Sequence, residues 1–244
     1  LEVGNSLRKT EHSIFVVEFF PRLLPRQMDT EGAEILKTQM EKMGFAFFLG
    51  AKTREITGDE KVKSVILDDG TIIDCDMVII SAGVKPNAEL ADKLGIKCNK
   101  GIPVNERLET EIKDIYAAGD IAEHRGICYG IWPAAEEQGK ITGINMSGGS
   151  AIYTGTLPSN VLKIAGINFI SAGDIDPDKN LESIVQKNGE SFIYRKLVIK
   201  DNYIAGCILY GNIDVWKKIK KAMDEKKDIS RIKTDLEKWN LEAL

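Results

Sequence analysis

The start of the chain carries the tightest constraint on its fold. Leu1, Val3 and Leu7, with polar residues between them, form a helical pattern that ends near Thr10. An apolar run follows at once, Ile14-Phe15-Val16-Val17-Glu18-Phe19-Phe20, and reads as a strand. A helix feeding straight into an apolar strand is half of a βαβ unit, the unit that builds parallel sheets. The strand that should precede the helix is not in the sequence, and the first residue is Leu1 rather than Met. The sequence is therefore expected to be the later part of a longer protein. A start produced by processing is the alternative.

The layering continues downstream. Pro21 and Pro25 punctuate the exit from the strand. Asp29 is placed to cap a helix over residues 30–43, with Ala33, Leu36, Met40 and Met43 on one face and Gly44 as C-terminal cap. Phe45-Ala46-Phe47-Phe48-Leu49 reads as a buried strand. Residues 53–57, 62–67 and 71–74 read as an antiparallel meander that turns at Gly58-Asp59-Glu60 and at Asp69-Gly70. Met77-Val78-Ile79-Ile80 reads as another buried strand, stopping at Ser81-Ala82-Gly83.

Beyond Val84 the expected elements are a helix over 88–94, a strand over 101–104 and a buried strand, Ile115-Tyr116-Ala117-Ala118, stopping at Gly119-Asp120. Trp132-Pro133 opens a helix reaching Met146, and Gly148-Gly149-Ser150 reads as a linker. Strands over 161–174, 191–199 and 203–210 follow, then helices over 214–226 and 230–239.

Composition removes several functional classes. A formal net charge of -4 argues against a nucleic-acid partner, which favours a basic face. No apolar run approaches the roughly 18 residues that span a bilayer, so no membrane partner is expected. Glu2, Arg8, Lys9 and Glu11 at the start are unlike a secretory signal. Cys75, Cys98, Cys128 and Cys207 lie far apart with no CxxC pair, which fits a reducing cytoplasm and offers no metal or dithiol motif. His12 and His124 are the only histidines, too few for a His-rich metal site.

Two acidic residues stand where nucleotides bind in α/β proteins. Glu18 ends the strand after the first helix, where a carboxylate either accepts both ribose hydroxyls of an adenosine and repels a 2′-phosphate or is simply a solvated strand end. Asp120 follows a buried strand at its carboxyl end, the edge at which α/β sheets hold ligands. The segment Thr110-Glu111-Ile112-Lys113-Asp114-Ile115-Tyr116-Ala117-Ala118-Gly119-Asp120 resembles the second FAD motif of the pyridine-nucleotide-disulfide-oxidoreductase-like flavoproteins. In those proteins a Thr and a short spacer precede an aromatic-Ala-x-Gly-Asp strand end.

The resemblance implies that Asp120 binds a ribityl hydroxyl of FAD and that Gly119 lets the backbone approach the flavin chain. Ser81-Ala82-Gly83-Val84-Lys85-Pro86-Asn87 is similar to the element that returns the family's chain from its NAD segment to its FAD domain, with Gly83 at the crossing. Trp132-Pro133-Ala134-Ala135-Glu136-Glu137-Gln138-Gly139 follows at the family's distance and implies a helix start aimed at the flavin pyrimidine. Pro133 and Ala134 fall in its first turn, and Trp132 stands near the ring or in the core. Leu1-Glu2-Val3 resembles the residues just after the family's NAD-binding Gly-rich loop, which makes Glu2 a candidate neighbour of the nicotinamide.

The stretch Leu157-Pro158-Ser159-Asn160-Val161-Leu162-Lys163-Ile164-Ala165-Gly166-Ile167, with Ser171-Ala172-Gly173, resembles the C-terminal domains of NADH:rubredoxin oxidoreductases and of the flavin modules of assimilatory nitrite reductases. The implied fold is α/β, a partial Rossmann-like two-nucleotide flavoprotein with an α+β C-terminal domain. Residues 1–86 belong to the NAD domain, 87–150 to the second part of the FAD domain and 151–244 to the C-terminal domain with its helical tail. The implied cofactors are FAD and NAD. The implied reaction passes electrons from NADH through FAD to a protein carrier, dioxygen or a nitrite-reducing centre, and no side chain is required as acid or base.

This sequence departs from the family in lacking both Gly-rich loops. Tight binding of either nucleotide by residues 1–244 alone is therefore not expected. Open edges at residues 77–80 and 115–118 imply either association with another chain, including a homo-oligomer, or burial of those edges by rearrangement, and the C-terminal segment from about residue 151 is expected to fold on its own. The Lys217-Lys218-Ile219-Lys220-Lys221 run is a basic helix face for a carrier such as rubredoxin, or a solvated face. The rival reading from another class is a non-catalytic interaction or oligomerisation module.

Overall fold

A computed structural model describes residues 1–164 and 166–244, with Ile164 by its backbone alone. The chain divides into two compact units: residues 1–79 with 159–244, and residues 80–158.

In the first unit, α1 (Glu2–Arg8) leads into β1 (Ile14–Glu18), and α2 (Thr30–Lys42) crosses to β2 (Phe45–Leu49). β1 and β2 pair in parallel with Ile14 opposite Phe45 and Glu18 opposite Leu49, so the helix-to-strand pattern does form a parallel ladder. Phe19 and Phe20, expected within the strand, lie in the bend beyond it. β3 (Thr53–Gly58), β4 (Val62–Leu67) and β5 (Ile72–Asp74) form the expected three-stranded antiparallel meander. Its buried residues Val65, Leu67 and Ile73 pack with Val17 and Phe48.

The same unit contains a five-stranded antiparallel sheet made of β8 (Ser159–Ile164), β9 (Ile167–Gly173), β10 (Glu182–Asn188), β11 (Ile193–Lys200) and β12 (Tyr203–Gly211), in the order β10-β11-β12-β9-β8. The single strand expected over residues 161–174 is thus a hairpin, turning beside Gly166 at φ +89°. Ala165, part of that expectation, lies outside the described residues. β10 escapes a hydrophobic reading because it is an edge strand that buries only Ile184. The C-terminal helices α5 (Trp216–Asp224) and α6 (Lys233–Glu237) are shorter than their sequence patterns. Ile219 and Met223 of α5 face inward as expected.

This sheet does not stand alone. Leu36 and Met40 of α2, with Leu23 and Met28, share one core with Phe169, Tyr194, Ile208 and Tyr210. Asp29 ties the two parts together. Its Oδ1 accepts the Gly32 N–H at 3.0 Å and caps α2. Its Oδ2 accepts the Tyr194 hydroxyl at 2.7 Å and Lys196 Nζ at 3.1 Å. Lys196 spends its other donors on the carbonyls of Ile175 and Asp176, at 2.9 and 3.0 Å, so this buried ion pair is fully hydrogen-bonded. Gly32 is required by close approach: a Cβ there would lie 2.9 Å from the Tyr194 ring.

The segment expected as a buried strand at residues 77–80 is neither a strand nor buried. Met77, Ile79 and Ile80 are 65%, 54% and 76% exposed. Among the described residues no strand pairs with it, and an apolar run without a ladder has no layer to enter.

The second unit holds α3 (Glu89–Lys93), β6 (Ile102–Val104), a single 3-10 turn at Gly119–Ile121, β7 (Ala122–His124) and α4 (Trp132–Met146). β6 and β7 pair in parallel, over a small core of Ala91, Ile96, Ile102, Ala117 and Ala122. Residues 115–118 are not a strand. They fold back on residues 108–110 through one bridge, Glu109 to Tyr116, and an Ala117 N–H to Leu108 carbonyl bond of 3.1 Å. The reversal is tight because Asp114 takes φ +65°. Residues 148–150 are not a loose linker, because the Asn145 amide grips both Arg107 and Ala151 beside them.

Candidate functional site

Thr110 begins the site in the second unit. Its hydroxyl accepts the Ile112 N–H at 3.2 Å and donates to the Ile112 carbonyl at 3.1 Å, while its own N–H bonds the Ile115 carbonyl at 2.8 Å. These bonds close the loop that returns the chain toward Gly119. Ala118 is extended, Gly119 takes φ +83° and Asp120 falls in the 3-10 turn rather than at a strand end. An L-residue at Gly119 would be strained in that conformation, which explains the glycine. The Asp120 side chain is on an exposed residue, with its carboxylate available to a ligand.

The 3-10 turn lies against the start of α4. A Cβ at Gly119 would be 3.8 Å from the Ala135 Cβ, and the Gly119 N–H donates to Gln138 Oε1 at 2.8 Å. Pro133 occupies the first turn, where its missing N–H costs nothing, and Ala134 is buried beneath it. The first turn has neither a capping side chain nor an acidic residue, so its free N–H groups and positive dipole end are not neutralised locally. Trp132 is 82% exposed, which excludes the core-packing reading. Gly119, Asp120 and Pro133 therefore lie together in this unit, with Ala134 buried beneath.

Gly83, in the same unit, has φ +90° and open space around it, so its backbone conformation alone calls for glycine. In the first unit, Glu18 ends β1 at the carboxyl edge of the parallel pair, where its Oε1 accepts the Phe20 N–H at 3.0 Å. That bond orients the carboxylate and leaves Oε2 for a ligand. Glu2 is the exposed first residue of α1 and makes no side-chain hydrogen bond or ion pair among the described residues.

Sequence reasoning passed over a polar cluster behind the turn. Gln138 and Tyr153 are fully buried, and the His124 ring lies 4.8 Å from the Tyr153 ring. Burial, then the Arg125 charge, holds the His124 pKa below its ordinary value. Burial raises that of Tyr153. Gln138 lies inside the Trp132–Gly139 run, and its place in the second turn of α4 is the available signal.

Comparison with known proteins fits this geometry. Residues 1–139 match the family profile described as pyridine nucleotide-disulphide oxidoreductase, and residues 158–227 match that of the rubredoxin NAD+ reductase C-terminal domain. The chain is 35% identical over 231 residues to a nitrite reductase [NAD(P)H] of Bacillus subtilis, covering 94% of this chain and 29% of the relative. It is 34% identical to the NADH-rubredoxin oxidoreductase of Clostridium acetobutylicum, covering 91% of this chain and 54% of the relative. The crystal structure of NADH:rubredoxin oxidoreductase from Clostridium acetobutylicum superimposes with a TM-score of 0.76 at 30% identity, covering 98% of this chain and 59% of the other. The chain thus spans about a third to a half of the length of these curated relatives. With a family profile matched from Leu1 through Gly139, and a fold shared with a solved member, the chain belongs to the pyridine nucleotide-disulphide oxidoreductase family.

Proposed function

We propose that this chain supplies the flavin-contacting turn and part of the pyridine-nucleotide site of an FAD-dependent NADH oxidoreductase. The division of labour is residues 1–86 for NAD, 87–150 for FAD and 151–244 as the C-terminal domain. The observation that carries the reading is the Gly119-Asp120 turn, fixed against an unneutralised helix start with its carboxylate exposed. These residues fit a flavin. Asp120 accepts from a ribityl hydroxyl, Gly119 leaves room for the chain, and the first turn of α4 presents N–H groups to negative charge on the ring, with Trp132 beside it. Bound FAD supplies the redox chemistry, and the protein's share is to hold it and tune its charge.

Glu18 selects NADH over NADPH by accepting from the ribose hydroxyls and repelling a 2′-phosphate. Glu2 stands near the nicotinamide, and Gly83 permits the crossing between the NAD and FAD segments. The electrons leave toward a protein carrier such as rubredoxin, dioxygen or a nitrite-reducing centre. Lys217, Lys218, Lys220 and Lys221 on α5 are the basic face for an acidic carrier, although Lys220 and Lys221 also pair with Asp224 and Glu225 along the helix.

The test is FAD titration read by flavin fluorescence. The sequence has neither Gly-rich loop, so affinity of the 244-residue chain is low, and Asp120→Ala lowers it by about ten-fold or more through loss of a charged hydrogen bond of about 1.5–3 kcal/mol. Equal affinity in the variant would remove Asp120 from the site. Glu18→Ala lowers NADH affinity by a similar about 1.5–3 kcal/mol; an unchanged NADH affinity with no gain for NADPH would exclude Glu18.

A second reading, self-association, is favoured by the exposed Phe15, Phe19 and Phe20 beside β1, a strand paired on one side only. Light scattering that finds a monomer at all concentrations would dismiss it.

A further inference from the structure

We infer that Gln138 is the positioning residue of the flavin-binding turn: its buried side-chain oxygen holds the Gly119 N–H and so fixes where Asp120 is displayed. The inference rests on the flavin reading proposed above. Gln138 is fully buried, and its side chain meets the backbone of the one residue whose conformation sets where Asp120 lies.

The orientation of the amide follows from donor and acceptor rules. The Gly119 N–H can only donate, so Gln138 Oε1 faces it, at 2.8 Å, and the amino group faces the other way. That amino group is buried and has no hydrogen-bond partner among the described residues, so the Gly119 bond alone sets the orientation.

Tyr153 belongs to a separate hydrogen-bonded group that ends on Glu137. Glu137 Oε2, an acceptor only, lies 2.7 Å from Thr156 Oγ1, so the Thr156 proton points to Glu137. Thr156 Oγ1 must then accept the Tyr153 proton across their 2.8 Å contact. Burial holds the Tyr153 hydroxyl protonated, so this group does not reverse at neutral pH. Flipping the amide would place its amino group against the Gly119 N–H, donor against donor.

The consequence reaches the cofactor through Gly119. At φ +83° its N–H is turned into the α4 side and Asp120 is displayed outward. Without the Gln138 oxygen that N–H is unsatisfied, the turn is free to relax, and the carboxylate loses its fixed position.

Two readouts on the full 244-residue chain test this: hydrogen exchange of the Gly119 amide by NMR without cofactor, and the FAD titration above. Gln138→Leu is expected to speed Gly119 exchange about ten-fold and to weaken FAD binding about ten-fold, the size of one lost hydrogen bond. Gln138→Glu keeps an acceptor, so exchange stays within about three-fold of the parent, a rescue that mere packing would not give. Gln138→Met, close to glutamine in length, removes the acceptor with little loss of packing and carries the test if Gln138→Leu does not fold. Unchanged Gly119 exchange in Gln138→Leu, or in Gln138→Met, overturns the inference. If the parent takes up no FAD while Gly119 still loosens in Gln138→Leu, the flavin reading fails and the clamp stands.

Discussion

The five-stranded sheet and the two parallel pairs find their partners in opposite ways. In the sheet, β8 with β9, and β10 with β11 and β12, are neighbours in sequence as well as in space, so most ladders close locally. The result is dense burial: Leu197, Val198, Cys207, Ile208 and Leu209 have essentially no exposed surface. β1–β2 and β6–β7 are each only two strands wide, and a parallel strand must draw its neighbour from beyond a crossover. Ile80 is as apolar as Ile208, yet one is 76% exposed and the other not at all. The difference shows that an apolar run is buried by the strand beside it and not by its own composition.

The largest expected effect lies where the sheet is tied to α2. Asp29→Ala removes the cap of α2, the acceptor of Tyr194 and the counter-charge of Lys196, whose side chain is 2% exposed. Leaving a buried ammonium unpaired costs about 3–5 kcal/mol. Urea unfolding that finds a loss under about 1 kcal/mol would show that the tie is not structural.

Next in size is a matched pair of truncations that tests the comparison directly. Ile208→Ala should destabilise by about 2–5 kcal/mol through lost burial and a cavity. Ile80→Ala should change stability by no more than about 0.5 kcal/mol. Similar values at the two positions would mean that residues 77–80 are covered in solution.

The same contrast explains what was legible in the sequence. The meander was readable because Asp69-Gly70 and Gly58-Asp59-Glu60 are local turn signals. Asp29 as a cap was readable for the same reason, but its bond to Lys196, 167 residues away, was not. The hairpin of β8 and β9 read as one strand because Gly166 is its main punctuation. Residues 77–80 and 115–118 were read as buried strands from apolar content, which says nothing of who the partner is. At the candidate site, the helix start at Pro133 and the glycine turn at Gly119 follow from neighbouring residues and were legible. Gln138 was not, because its role depends on a glycine amide 19 residues earlier.

A smaller effect appears on acidification of the second unit. The folded His124 pKa lies below its ordinary value, so below the ordinary titration range the unfolded chain takes up a proton that the folded chain resists. Stability is unaffected above that range and falls as pH drops through about 6.5 toward the lower folded pKa. The charges facing the ring are Arg125, which opposes protonation, and Glu106, which favours it. His124→Phe should flatten the dependence of stability on pH between about 7 and 5. An unchanged slope would place the His124 ring in contact with water.

The smallest expected effect is two residues from the largest. Glu31, in the first turn of α2, bridges Lys179 and Lys187 at 2.8 Å each, and so joins the same two parts of the unit as Asp29 does. Hydrogen bonds from the two lysines lower its pKa to about 2. The sign is that of a depressed carboxylate: its contribution is present above the ordinary value of 4.5 and is lost as pH falls toward 2. Read naively, so large a shift implies a strong tie. The geometry says otherwise, because the Glu31 side chain is 37% exposed and its partners 61% and 60%, so water and salt screen the attraction. Glu31→Gln at neutral pH should cost less than about 1 kcal/mol. That cost should vanish at about 1 M salt, where the screening length is about 3 Å. A salt-insensitive loss comparable to that of Asp29→Ala would mean that the bridge is closed to solvent, and that burial is not what separates these two carboxylates.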